Sequence, residues 1–218
     1  MSRRVLIIGR SPGVILDVAE ILRGRGFHAD ATNQFDEVLS QYDTASLDIV
    51  VFGGMVPPGT KQYLREEIAK DNGHVAFVQG LAGIAGLIAA QVEAAVPGSG
   101  DDDAVAYDAA RRSVRLTLPE PARVVVEAWW GTSFAPPEPT STSLRVLDAR
   151  FDAGEHVVPL PDAVPAVASF VTVSAGATVR AFTVGAMPEA VTRLVPTGDP
   201  AQPPTLPAVQ AVATHSFG

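Results

Sequence analysis

The sequence contains no cysteine and almost no lysine, and these shortages exclude several kinds of chemical site and binding partner. Without cysteine the chain has no disulfide, no thiolate metal ligand and no cysteine nucleophile. Lys61 and Lys70 are its two lysines, and acidic residues outnumber basic ones by 24 to 16, for a formal net charge of −8. Binding to nucleic acid requires clustered positive charge, so this composition predicts no nucleic-acid partner.

The chain also lacks an N-terminal leader pattern and a long uninterrupted apolar run. Its first four residues lead directly into a strand pattern, with no apolar signal stretch. Residues 75–96 are strongly apolar, but they include two glutamines, a glutamate and three glycines. This pattern predicts a buried strand followed by a helix, not a membrane span. We therefore expect a cytoplasmic protein with no membrane partner.

The first part of the chain alternates strand and helix patterns, which is typical of a doubly wound parallel sheet. Each of four short apolar runs is followed by a segment with helical spacing of apolar residues. The predicted strands are residues 5–8, 27–31, 48–52 and 74–78, and the predicted helices are 12–23, 36–42, 60–70 and 81–96. Hydrophobic residues make up 47% of the chain, which is enough for a packed core.

The pattern changes after a stretch rich in Gly, Ser and Asp at residues 97–103. Helical spacing disappears, and short alternating runs follow between Pro, Gly and Asp turns. This pattern predicts an antiparallel, immunoglobulin-like β-sandwich of about seven strands. The runs are residues 104–108, 113–118, 122–130, 142–151, 156–160, 169–174 and 178–184. The first of them can alternatively complete the parallel sheet as its fifth strand.

These patterns divide the chain into three parts. We expect an α/β domain at residues 1–98, a β-sandwich domain at 104–187 and a proline-rich extended tail at 188–218. A length of 218 residues suits two small domains, each with a modest core of its own.

Three segments of the first part resemble the receiver domain of response regulators, which has a flavodoxin-like fold. They are residues 21–29, similar to the passage from helix 1 to strand 2, residues 36–39, similar to helix 2, and residues 47–57. In receivers the last segment contains strand 3, the phosphoacceptor aspartate and a Met-x-Pro element. Here Gly53 occupies the position of that aspartate. The resemblance covers residues 3–96 and implies a parallel sheet with helices on both faces.

The departures from the receiver pattern imply a domain that cannot be phosphorylated. Gly9 and Arg10 stand where receivers carry the acidic pair that binds Mg²⁺. Gln79 and Gly80 replace the expected Ser or Thr, and no lysine follows Lys70. Aspartyl phosphorylation needs a carboxylate nucleophile, metal ligands and a cation. We therefore expect a non-catalytic regulatory or protein-interaction module that has a protein partner or forms a homo-oligomer, without a metal or cofactor.

Glycines at the ends of the predicted parallel strands support an alternative function. Ligands of open parallel sheets bind outside the carboxyl ends of the strands, where glycine lets backbone N–H groups approach an anion. A nucleotide- or cofactor-binding protein, which could be an enzyme, would use this crevice for a small anionic ligand. The candidate residues are Gly9, Arg10, Ser11, Gly13, Gly53, Gly54 and Gly80. The competing interpretation is ordinary tight turns, because the full dinucleotide-binding Gly-x-Gly-x-x-Gly motif is missing.

Residues 9–13 also match the Gly-x-Ser-x-Gly pattern of hydrolase nucleophile elbows, but their context argues against catalysis. The match follows the first strand, and Pro12 lacks the N–H that would form half of an oxyanion hole. Ser11 as the N-cap of the first helix explains the same residues. The four histidines are scattered without metal-ligand spacing, so we predict no metal site.

Two adjacent tryptophans indicate a contact surface in the second part. Strand alternation over residues 123–130 places Trp130 on the core face and Trp129 on the opposite face. Trp129 is therefore predicted to contact the first domain, a partner or a ligand such as a sugar. The predicted helix 81–96 is rich in Gly and Ala, which allows close packing within the domain or against a second subunit.

Overall fold

The computed structural model describes residues 2–96, 102–133 and 140–187. It contains a four-stranded parallel sheet followed by two antiparallel sheets. This arrangement confirms the expected order of an α/β region and then a β region. The predicted tail at 188–218, and residues 97–101 of the predicted connection, lie outside the described residues.

The parallel sheet is built from four short strands, of which the first and third are the most apolar. They are β1 (Arg4–Ile8), β2 (His28–Thr32), β3 (Ile49–Phe52) and β4 (Ala76–Gln79), and their order in the sheet is β2-β1-β3-β4. All neighbours pair in parallel. Such strands are covered on both faces, which is why apolar residues do not alternate with polar ones in β1 and β3.

Four helices cover this sheet, two on each face. They are α1 (Pro12–Gly24), α2 (Val38–Gln41), α3 (Pro58–Asp71) and α4 (Ala85–Ala94). Buried side chains of α1 and α4 pack on one face, and those of α2 and α3 pack on the other. The second helix is shorter than predicted, because a 3-10 turn takes up Phe35–Glu37. The fourth begins later than predicted, because Ala82 and Gly83 have positive φ angles of 55° and 64°.

The remaining strands form a three-stranded and a four-stranded antiparallel sheet. In chain order they are β5 (Val105–Asp108), β6 (Ser113–Leu118), β7 (Ala122–Ser133), β8 (Thr140–Phe151), β9 (Gly154–Pro159), β10 (Ser169–Ala175) and β11 (Thr178–Val184). The sheet orders are β5-β6-β9 and β11-β10-β7-β8. The alternative that the first of these strands completes the parallel sheet is wrong, because β5 pairs antiparallel with β6. In the described structure β4 is therefore an edge strand.

The helix α4 joins the two regions. Ile88, Ala89 and Val92 pack with the parallel sheet and α1, whereas Leu87 packs with Phe170 of β10. The four-stranded antiparallel sheet thus turns one face toward α4. Side chains on its other face form one hydrophobic cluster with the three-stranded sheet. Among the described residues, no helix has the length and apolar character needed to cross a membrane.

Candidate functional site

The carboxyl ends of the parallel strands carry the glycines that the sequence singled out. The backbone N–H of Gly9 donates to the carbonyl oxygen of Thr32 at 3.1 Å. The Gly53 N–H donates to Ile8 and the Gly80 N–H to Phe52, both at 2.8 Å. Each amide therefore extends the hydrogen-bond ladder to the adjacent strand. An N–H that is used in this way is not directed at a ligand.

Close packing leaves little room for a side chain at the same three glycines, and least at Gly9. A Cβ at Gly9 would lie 2.5 Å from Cγ2 of Ile15, inside the contact distance of two carbon atoms. At Gly53 it would lie 3.2 Å from Cα of Gly9, and at Gly80 it would lie 3.2 Å from Cδ1 of Ile88. These contacts favour the interpretation as tight turns between strands and helices. Ligand binding at these residues stays a prediction.

The other candidates of this edge lie around the start of α1 and after β3. Ser11 is at the N-cap position of α1, but its side chain makes no capping hydrogen bond. Its carbonyl oxygen accepts the first helical hydrogen bond, from the Ile15 N–H at 3.1 Å. Gly13 lies in the first turn of α1, and Arg10 is half-buried beside it. The site of a Cβ on Gly54 is open within 4 Å, unlike that of Gly53.

Three polar side chains form hydrogen bonds around the end of β4. Sequence reasoning did not assign them to a site. Lys61 Nζ donates to Oε1 of Gln79 at 2.9 Å, and Gln79 Nε2 donates to the Phe52 carbonyl at 2.9 Å. Gln91 of α4 accepts from the Leu81 N–H and donates to the Gln79 carbonyl, both at 3.1 Å. Burial, with a smaller contribution from nearby Arg65, lowers the pKa of Lys61. In the sequence, only the position of Gln79 at a strand end could have indicated this group of hydrogen bonds.

Trp129 lies on the face of β7 that is turned toward α4. Its Nε1–H donates to Oγ1 of Thr172 on β10 at 2.9 Å. A Cβ on Gly86 would overlap Cη2 and Cζ3 of the indole and lie 2.8 Å from Cζ2. Trp130 packs on the opposite side, against the cluster shared by the two antiparallel sheets. In the structure the indole of Trp129 packs against α4 of the first region, and a ligand or partner contact of Trp129 stays a prediction.

A cleft of about 480 Å³ opens beside Trp129, between α1 and the four-stranded antiparallel sheet. Residues from three elements and the sheet edge line it: Asp17, Glu20, Ile21, Ala85, Gly86, Trp129 and Ser141. Trp129 is the only one of them that the sequence predicted as a contact residue. The two acidic residues escaped notice, because charged positions on an amphipathic helix usually face solvent.

Within residues 2–96, 102–133 and 140–187, no group of three or more His, Cys, Asp or Glu side chains is placed to hold a metal ion. No family model matches the chain, and no curated protein matches it.

Proposed function

We propose that the protein is a non-catalytic regulatory or protein-interaction module, in which a receiver-like domain that cannot be phosphorylated is joined to an immunoglobulin-like sandwich. The strand order β2-β1-β3-β4 supports the receiver-like part, since it equals the first four positions of the flavodoxin-like order. The hydrophobic cluster common to both antiparallel sheets supports the sandwich.

The observation that carries this proposal is the geometry at Gly53. In a receiver this position would hold the carboxylate that attacks the phosphoryl donor. Here the residue has no side chain, and its N–H is bonded to the carbonyl of Ile8. A new side chain would meet Cα of Gly9 at 3.2 Å, so even an introduced aspartate would disturb the first turn. The acidic pair that would hold Mg²⁺ is also absent from positions 9 and 10.

The edge of β4 supplies a surface that suits interaction. In the described residues β4 pairs with β3 alone. The N–H groups of Ala76 and Gly80 donate to the β3 side, so alternation directs the Phe77 N–H away from it. The outward carbonyl of Gln79 already accepts from the Gln91 side chain, so the backbone N–H of Phe77 is the group that an added strand would pair with at this edge. We propose that a second copy of the chain pairs here.

Two measurements test the proposal. The chain and its Gly53→Asp variant are incubated with acetyl phosphate and Mg²⁺, next to a phosphorylatable receiver as positive control. Intact-mass spectrometry should find both unmodified, and a stable phosphoryl adduct on the wild-type chain would overturn the proposal.

Hydrogen exchange at rising protein concentration should show increasing protection of the Phe77 N–H as dimers form. A monomer at every concentration, with constant exchange in β4, contradicts the pairing.

The alternative function, nucleotide or cofactor binding at the glycine-lined edge, has its own test. A ligand at 100-fold its dissociation constant stabilises a protein by about 2.7 kcal/mol, so a thermal-shift screen with nucleotides detects it. The matched variants are Arg10→Ala at the edge and Arg115→Ala on the exposed side of β6. A nucleotide shift that Arg10→Ala abolishes and Arg115→Ala preserves would favour this function over the interaction module.

A further inference from the structure

The cleft beside Trp129 has the size of a small-molecule site and walls of mixed chemistry. Its volume of about 480 Å³ lies within the range of ligand pockets in proteins. The apolar part of the wall is formed by Ile21, Ala85 and Gly86. Oxygen atoms come from the side chains of Asp17, Glu20 and Ser141. Ligand sites typically combine an apolar lining with a few polar groups that select and orient the ligand.

The charged residues that line this open cleft, Asp17 and Glu20, are both acidic and both exposed to solvent. Asp17 and Glu20 are three residues apart on α1, so their side chains lie on the same side of the helix. Neither carboxylate takes part in an ion pair within the described residues. None of the lining residues is basic. A ligand that enters therefore meets two carboxylates and no opposing cation.

The indole of Trp129 is held in a fixed position at the wall of the cleft. Its N–H is already bonded to Thr172 on one side, and its six-membered ring packs on Gly86 of α4. Trp129 therefore contributes aromatic wall to the cleft, and its N–H is already occupied by Thr172. Among side chains, indole is the strongest partner for cation–π contacts.

We propose that this cleft binds an organic cation, an alkylammonium or guanidinium group. The charged group lies between Asp17 and Glu20, and the alkyl part packs on Trp129 and Ile21. A metal ion fits less well, because within the described residues no third His, Cys, Asp or Glu joins Asp17 and Glu20, and the apolar wall supplies no oxygen ligand. This binding site is independent of the interaction module proposed above, and it adds a ligand to the protein.

Isothermal titration of the full chain tests the proposal. The probes are butylammonium chloride and agmatine, with 1-butanol as a neutral analogue and NaCl at matched ionic strength. We expect saturable binding of both cations, accompanied by a change in tryptophan emission, and no binding of 1-butanol. If neither butylammonium nor agmatine shows saturable binding, the proposal is wrong.

Variants locate the binding. In the double variant Asp17→Asn/Glu20→Gln the dissociation constant should rise about tenfold or more, and in Trp129→Phe it should rise several-fold. The matched control is Asp36→Asn/Glu155→Gln, which removes two exposed carboxylates outside the cleft. Circular dichroism checks that each variant is folded. If Asp17→Asn/Glu20→Gln, once folded, binds like the wild type, or the control weakens binding equally, the proposal is wrong.

A third probe separates two sources of the same cation. Nα-acetyl-lysine amide presents the ammonium group as a protein side chain does. Binding tighter than that of butylammonium assigns the cleft to a lysine of a partner protein, and weaker binding assigns it to a free amine. Both results support cation binding, whereas failure of all three probes contradicts it.

Discussion

The carboxyl edge of the parallel sheet and the cleft beside Trp129 both depend on glycine, but with opposite results. At the edge, Gly9, Gly53 and Gly80 let strands and helices approach until little space is left, and their amides are used in the sheet. At the cleft, Gly86 lets an indole approach α4, and open space remains next to the ring. Glycine thus marks close approach in both places, and the neighbouring side chains decide whether a cavity remains.

The largest loss in the free energy of unfolding is expected for Gly86→Ala. The added methyl group overlaps a rigid aromatic ring, and overpacking of this kind costs about 3 kcal/mol at its upper end. Denaturant unfolding of the full chain measures the loss. Gly59→Ala in α3 is the control, since nothing lies within 4 Å of its Cβ and alanine favours a helix. Equal stability of Gly86→Ala and wild type would contradict the close packing of Trp129.

A smaller loss is expected for Gly9→Ala at the strand edge. Its Cβ would meet one methyl group of Ile15, which a small shift of α1 can relieve, so we expect a loss of about 2 kcal/mol in the free energy of unfolding. Gly54→Ala is the control from the same edge, where the Cβ site is open. If the two variants lose equal stability, the close approach of Gly9 and Ile15 is not the cause.

The smallest effect is expected for Thr172→Val, which keeps the shape of the side chain but removes the acceptor of the Trp129 N–H. Trp129 is only partly buried, so water can replace the hydroxyl and the cost should be about 1 kcal/mol. The emission spectrum of the tryptophans should shift with it. Thr183→Val, on an exposed position of β11, should leave both stability and emission unchanged.

The sequence predicted elements better than it predicted contacts. The apolar runs of β1 and β3, and the alternation in β7, placed those strands to within a few residues and assigned Trp129 and Trp130 to opposite faces. The late start of α4 escaped prediction, because positive φ angles at Ala82 and Gly83 leave no trace in hydrophobic spacing.

The candidate sites show the same limit. Glycines at strand ends could be found from the pattern, but the fate of their N–H groups depends on the neighbouring strand. Likewise, Asp17 and Glu20 become part of a cleft only because Trp129, more than a hundred residues later, packs beside α1. Spacing along one element predicts which face a residue occupies, and it does not identify the element that covers that face.

The position of α4 has a consequence for how the chain folds during synthesis. None of its ten residues is fully exposed, because one side packs on α1 and the parallel sheet and the other on β10 and β11. In a nascent chain that has emerged only as far as residue 96, the side chains of Ile84 and Leu87 are exposed, because Phe170, which covers them, has not yet been synthesised. The first half therefore exposes a hydrophobic surface that chaperones can bind until about ninety further residues are made. Because α4 packs on both regions, the two halves of the mature chain should unfold in a single thermal transition.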